Sequence, residues 1–149
     1  MKHLFLTLFI LFLSFNSFSQ DDVKIVTNDK IVHQLLEDFV DKVHLNGMDL
    51  QDTLFENVEF VIIALPGKEV DNYGRYNEDN KIIVLSHDIK IDAIILRTIL
   101  YRELLHSVGV PYDDTLIMKR ERPSGFSYSV FSEKDIMDVE FTRALTSIN

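Results

Sequence analysis

Cysteine is absent from this chain of 149 residues. Its absence excludes a disulfide framework, a lipid-modified cysteine and catalysis by a cysteine nucleophile. The sequence also lacks a glycine-rich phosphate loop and the Gly-x-Ser-x-Gly elbow of serine hydrolases. Internal repeats, heptads and low-complexity segments are missing as well, so neither a repeat architecture nor a coiled coil is expected.

Basic residues are scarce. Fifteen Lys and Arg stand against 24 Asp and Glu, which gives a net charge of −9 at pH 7. Proteins that bind nucleic acid or anionic membrane surfaces usually present a basic patch. The acidity therefore argues against both kinds of partner, and it leaves open which peptide or protein could bind.

Residues 1–19 have the pattern of an export signal. Lys2 supplies the positive end, an apolar run extends from Leu4 to Phe15, and small residues stand at Ser17 and Ser19. The run is shorter than the roughly 20 residues of a membrane span, although an uncleaved anchor is the alternative. We expect an exported protein, periplasmic or secreted, with no stable membrane span after cleavage. Residues 20–149 then form one domain of 130 residues with a net charge of −10.

The segment after the signal predicts a helix. Asn28 or Asp29 can cap its start, it continues to about Asn46, and Gly47 ends it. Its apolar stripe recurs at helical spacing and comprises Val32, Leu35, Leu36, Phe39, Val40 and Val43. His33 and His44 lie off this stripe, so we interpret them as solvated surface histidines rather than metal ligands.

Two strands are predicted next. The first covers Asn57 to Leu65, and the second covers Lys81 to Leu85, where β-branched residues are frequent. Between them, Asp71 to Asn77 is a short polar and aromatic piece without a strand pattern. His87 follows the second strand, where a loop could carry it toward a site, but no spacing rule links it to other histidines.

A second helix is predicted from the N-cap Asp92 to Val108. It is apolar over most of its circumference, while Arg102, Glu103 and His106 share the remaining face. From this helix alone, a surface cluster of three polar side chains is the favoured interpretation. A last helix is indicated after the capping residue Ser132, with an apolar stripe at Met137, Phe141, Ala144, Leu145 and Ile148.

Residues 102–112 have the spacing of a zinc-binding motif, His-Glu-x-x-His-x-x-Gly-x-x-His, with Arg102 and Tyr112 at the first and third histidine positions. In such a motif two histidines four apart bind one zinc ion, and the glutamate deprotonates the zinc-bound water. A guanidinium has no lone pair to offer a metal. A tyrosine could bind only as a phenolate, and its ordinary pKa is about 10.

On this motif the chain resembles the metzincin clan, most closely the small matrixin-like metallopeptidases exported by bacteria. The resemblance implies an α+β fold in which a mixed sheet packs on a central motif helix, with helices at both ends. It implies that Lys81–Leu85 is an edge strand beside the cleft, where a peptide could add by main-chain hydrogen bonds. The implied roles are general base for Glu103, metal ligand for His106, turn glycine for Gly109 and Met-turn residue for Met118.

Three functions follow from the resemblance and its departures. The expected one is a catalytically inactive domain without a cofactor that retains a cleft for a peptide or protein. The first alternative is an active zinc peptidase with Glu103 as its base, whose ligands are His106, Asp113 or Asp114, and His87. The second alternative is a purely structural domain in which Arg102 pairs with acidic neighbours of Glu103, or with Asp113 and Asp114, in the space of the metal.

Overall fold

The computed structural model describes residues 24–112 and 141–145, and in this part of the chain the fold is α+β. A small mixed sheet packs against several helices. The strands are β1 Val26–Thr27, β2 Phe60–Ile63, β3 Gly74–Asn77 and β4 Ile82–Leu85. The helices are α1 Lys30–Leu45, α2 Gln51–Asn57 and α3 Ala93–Ser107, with 3-10 turns at Asp71–Tyr73 and His87–Ile91 and five helical residues at 141–145.

The sheet has the strand order β1-β2-β4-β3, and only β3 is antiparallel to its neighbour. Alternate residues of β2 and β4 point to opposite faces of the sheet. Val61, Ile63, Ile83 and Leu85 are buried in the core that the sheet shares with the helices, whereas Phe60 remains exposed. This alternation fixes which face of the sheet covers the helices.

The prediction that Lys81–Leu85 is an edge strand is wrong. These residues form β4, which lies between β2 and β3, and in the described part of the chain β3 is the edge strand on that side. The segment 71–77 gave no strand signal because it contains a glycine and mostly polar side chains. A short connection from Asn77 to Ile82 nevertheless folds it back along β4 as an antiparallel hairpin.

The predicted first helix is confirmed as α1. Asp29 is its N-cap, and one side-chain oxygen accepts from the N–H groups of Ile31 and Val32. The buried residues of α1 all belong to the predicted stripe, and they are Val32, Leu36, Phe39 and Val43. The histidines at positions 33 and 44 are exposed, as expected.

The first predicted strand begins too early. Asn57 is the last residue of the short helix α2, and the strand starts at Phe60. Leu54 anchors α2 in the core, and the side-chain amide of Asn57 donates to the carbonyl oxygen of Ser107 on α3 at 2.7 Å. A helix of two turns that depends on tertiary contacts leaves little periodic signal in a sequence.

Helix α3 is confirmed with its N-cap Asp92, which accepts from Ile94 and Ile95. Ten of its fifteen residues are buried, so it is the centre of the core. Residues 141–145 pack against it, since Phe141 contacts the rings of Phe39 and Tyr101. Within residues 24–112 and 141–145, no helix combines the length and apolar character needed to cross a membrane.

Candidate functional site

The motif residues of α3 lie against the edge strand β3, and Gly74 permits this close approach. A Cβ atom at Gly74 would lie 2.5 Å from the Cγ2 of Ile99 and 3.4 Å from the Cγ of Glu103. Heavy atoms pack at about 3.5–4.0 Å, so any larger residue would push the helix away from the strand. The glycine therefore sets how near Arg102 and Glu103 come to the β3 backbone.

Arg102 and Glu103 form an ion pair whose side chains are only 4% and 0% exposed. The guanidinium Nε and Nη2 both lie 2.7 Å from Oε1 of Glu103. The prediction of a surface cluster is thus wrong for these two residues, because β3 covers the helix face that carries them. Arg102 pairs with Glu103 itself, while Asp113 and Asp114 lie outside the described residues.

The second carboxylate oxygen of Glu103 is also occupied. Its Oε2 accepts from the backbone N–H of Tyr76 at 3.0 Å and from the hydroxyl of Tyr112 at 2.7 Å. Three hydrogen bonds and a second close contact from the guanidinium therefore surround a carboxylate that offers about four lone-pair sites. Both oxygens of Glu103 are engaged by donors of the protein in this arrangement.

Arg102 also holds the backbone that leads into β3. Its Nη2 donates to the carbonyl oxygen of Asn72 at 3.0 Å and to that of Gly74 at 3.2 Å. Asn72 and Tyr73 have φ angles of 54° and 65°, a left-handed conformation that non-glycine residues rarely adopt. Such a conformation persists where the surroundings over-determine it, and the guanidinium is one of the groups that do so.

His106 is orientated by its own turn. Its Nδ1 lies 3.0 Å from the carbonyl oxygen of Val110, which can only accept, so Nδ1 carries a proton. The turn forms where α3 ends, because Gly109 adopts a φ of 102° that favours glycine. In the neutral ring the Nε2 atom then carries the lone pair.

Two tyrosine rings flank His106. Tyr112 stacks on it at 4.0 Å between ring centroids, and Tyr76 meets it edge-on at 6.3 Å. The hydroxyl of Tyr76 donates to the carbonyl oxygen of Asn57 at 3.0 Å. Burial, together with the nearby charge of Glu78, raises the pKa of Tyr76 above its ordinary value, so this phenol is a neutral donor.

The side chains at the motif positions do not fit a zinc ion. Arg102 has no lone pair, and the Tyr112 hydroxyl donates a hydrogen bond to Glu103. In the part of the chain that the structure describes, no three His, Cys, Asp or Glu side chains are grouped to hold a metal ion, and His87 belongs to a 3-10 turn. Asp113, Asp114 and Met118 lie outside that part.

The sequence prediction missed Tyr76 and the backbone of Asn72 and Gly74 as parts of this site. A lone glycine within a strand marks a close approach of other atoms to the backbone, and Gly74 is such a glycine. The signal could not be used, because the residues around Gly74 have no strand pattern. The partners that Gly74 admits come from a helix 28 residues further along the chain, so their identity could not be read locally.

Comparison with known proteins identifies no relative of this chain. No family model matches it, and neither a curated protein nor a solved structure is significantly similar to it. The likeness to the metzincin clan therefore remains a resemblance of the sequence, carried by the spacing of residues 102–112.

Proposed function

We propose that this chain is an exported metzincin-like domain that does not hydrolyse peptides. The observation that carries the proposal is the buried ion pair of Arg102 with Glu103. Arg102 stands at the first ligand position of the motif, and its charge is permanent in proteins. A divalent cation in this space would have to displace or oppose a buried cation, which a single remaining imidazole at His106 cannot offset.

The same network also engages the carboxylate of Glu103, the general base of the motif. A base must reach the attacking water with an available oxygen, at about 2.6–3.2 Å. Both oxygens of Glu103 accept from Arg102, Tyr76 and Tyr112 instead. An active peptidase with rebuilt ligands would therefore need a new metal site and a freed base together, and no observation favours that alternative.

The resemblance leaves two roles for an inactive domain: a cleft that still binds a peptide or protein, and a purely structural domain. Peptide addition at the sheet edge uses outward backbone groups of the edge strand. In β3 the carbonyl of Gly74 and the N–H of Tyr76 are taken by Arg102 and Glu103. This favours the structural role, in which an internal network joins α3, β3 and Tyr112 in place of a metal.

The test is metal analysis of the purified chain without its signal, after incubation with excess zinc and removal of unbound metal. We expect far less than one zinc per chain and no chelator-sensitive hydrolysis of a mixed peptide library. Stoichiometric zinc, or hydrolysis that disappears in Glu103→Gln, would overturn the proposal.

A designed gain of function tests the kinship itself. The double variant Arg102→His with Tyr112→His restores both missing histidines, and we expect it to bind zinc. A matched control is Glu37→His, which places a second imidazole four residues from the exposed His33 on α1. Zinc affinity no greater than that of the control would contradict a ligand-ready arrangement around His106.

A further inference from the structure

The outward edge of β3 is defined by its pairing with β4. The backbone N–H of Ser86 donates to the carbonyl oxygen of Tyr73 at 2.8 Å, and the register of the two strands pairs Arg75 with Val84. In an antiparallel pair, residues alternate between facing the neighbouring strand and facing away from it. Gly74 and Tyr76 therefore direct their N–H and C=O groups away from β4, toward the side where a further strand would add.

Three of these four outward groups have partners inside the chain. The N–H of Gly74 donates to the carbonyl of Asp71, its carbonyl accepts from Arg102, and the N–H of Tyr76 donates to Glu103. A guanidinium donor and a carboxylate acceptor thus stand where the N–H and C=O of another strand would be. Among residues 24–112 and 141–145 no strand lies beside β3 on this side, and the ion pair takes the position that such a strand would have.

Unpaired strand edges are templates for association with other chains. A second copy of β3 would be self-complementary, because a two-fold axis at Arg75 brings Gly74 of one copy opposite Tyr76 of the other. Such a pair would use the N–H and carbonyl groups of both residues, and the carbonyl of Gly74 and the N–H of Tyr76 are the two that the ion pair binds internally. We propose that the Arg102–Glu103 pair closes this edge and prevents the chain from pairing with a second copy through β3.

The proposal can be tested by removing the two charged side chains that bind the outer edge of β3. The double variant Arg102→Leu with Glu103→Leu removes both charges together, which buried pairs tolerate better than the loss of one partner. It leaves the Gly74 carbonyl and the Tyr76 N–H without internal partners. We expect the sedimentation coefficient to shift from that of the wild type toward that of a dimer in the micromolar to millimolar range.

The matched control is Asp71→Asn with Arg75→Gln. It also removes one charge of each sign beside β3, but it breaks an exposed contact of 3.7 Å and leaves the edge closed. It also removes the two like charges that would oppose each other at the two-fold axis. We expect it to sediment like the wild type. Self-association of this control would show that charge, not closure, keeps the copies apart, and would overturn the proposal.

A measurement on the wild-type chain covers the case in which the leucine variant fails to fold. Amide hydrogen exchange at Tyr76 should be slowed at least about 100-fold relative to an unfolded chain, because its N–H is bound to a buried carboxylate. Unprotected exchange at Tyr76 would overturn the proposal. A folded leucine variant that sediments like the wild type would do the same.

Discussion

The two margins of the sheet use different chemistry for the same purpose. Beyond the short strand β1, the side-chain amide of Asn28 donates to the carbonyl of Ile63 at 3.2 Å and accepts from its N–H at 3.0 Å. Beyond β3, a guanidinium and a carboxylate bind Gly74 and Tyr76. Asn28 continues the pairing of β1 with β2 beyond the end of β1, and the ion pair lies on the outer side of β3, where the described residues place no strand. In both places side chains keep peptide groups hydrogen-bonded.

The difference lies in charge and in distance along the sequence. Asn28 is neutral and directly follows β1, so its placement needs no more than the turn into α1. Arg102 and Glu103 come from a different helix and must both leave water before they meet. A buried ion pair gains little over an apolar pair, but the loss of one partner leaves an uncompensated charge. The β3 margin should therefore be the more fragile to single substitutions.

The largest effect should come from removing one partner of the Arg102–Glu103 ion pair beside β3. Arg102→Met leaves the carboxylate of Glu103 buried without its cation, which should lower the free energy of unfolding by about 3–5 kcal/mol. Denaturant unfolding measures this loss. Arg75→Met, which breaks only the exposed contact with Asp71, is the control and should unfold like the wild type. A loss for Arg102→Met as small as that of the control would refute the buried pair.

A smaller loss of stability is expected when the neutral side chain of Asn28, next to the end of β1, is removed. Asn28→Ala removes both hydrogen bonds to Ile63 and should lower the free energy of unfolding by about 2 kcal/mol, since a buried donor and acceptor lose their partner. Asn46→Ala is the matched change at the end of α1, where the amide makes exposed contacts, and should stay within about 0.5 kcal/mol. Equal losses in the two variants would show that Asn28 does not continue the pairing of β1 with β2.

The smallest expected effect is a pH dependence of the free energy of unfolding, which arises from Asp29, the residue after Asn28. Burial alone would raise the pKa of Asp29 above 3.8, but its bonds to Lys90 and to the N–H groups of Val32 and Ile31 bring that pKa below this value. A lowered folded-state pKa means that stabilisation is complete above the unfolded pKa and is lost as pH falls through the folded one. Asp29→Asn keeps the cap but loses the ion pair, and should lose about 0.5–1 kcal/mol at pH 7.

Unfolding measured from pH 7 down to pH 2 checks this expectation. The difference between the wild type and Asp29→Asn should shrink as the pH approaches 2, because the wild-type carboxylate then becomes neutral. Lys90→Met removes the same ion pair from its other end and should show the same convergence. A difference in the free energy of unfolding that stays constant with pH would argue against a contribution from the charged form of Asp29.

The elements that sequence patterns predicted share strong local signals. Helices α1 and α3 each begin with an aspartate whose side chain caps the first turn, and α1 carries a clear apolar stripe. The β-branched runs predicted β2 and β4, although β2 starts three residues later than expected. The short helix α2 and the strand β3 were missed because each depends on what it packs against rather than on its own residue pattern.

The candidate site, too, was predicted from the sequence only in part. The spacing of Arg102, Glu103 and His106 placed them on one helix face, and the chemistry of a guanidinium ruled Arg102 out as a metal ligand. The sequence did not show that a sheet edge covers this face. Arg102 and Glu103, which the helix alone predicted to be part of a surface cluster, are therefore among the most buried residues of the described chain.

The sequence by itself determined the α+β character, the two capped helices and the absence of usual ligands at two motif positions, because periodicity, caps and side-chain donors are local properties. Only the tertiary structure decided that Glu103 meets Arg102, Tyr76 and Tyr112 at once, and that β3 rather than β4 is the edge. These contacts join residues from separate elements. Their positions follow from how closely α3 can approach Gly74, a distance set by packing in three dimensions.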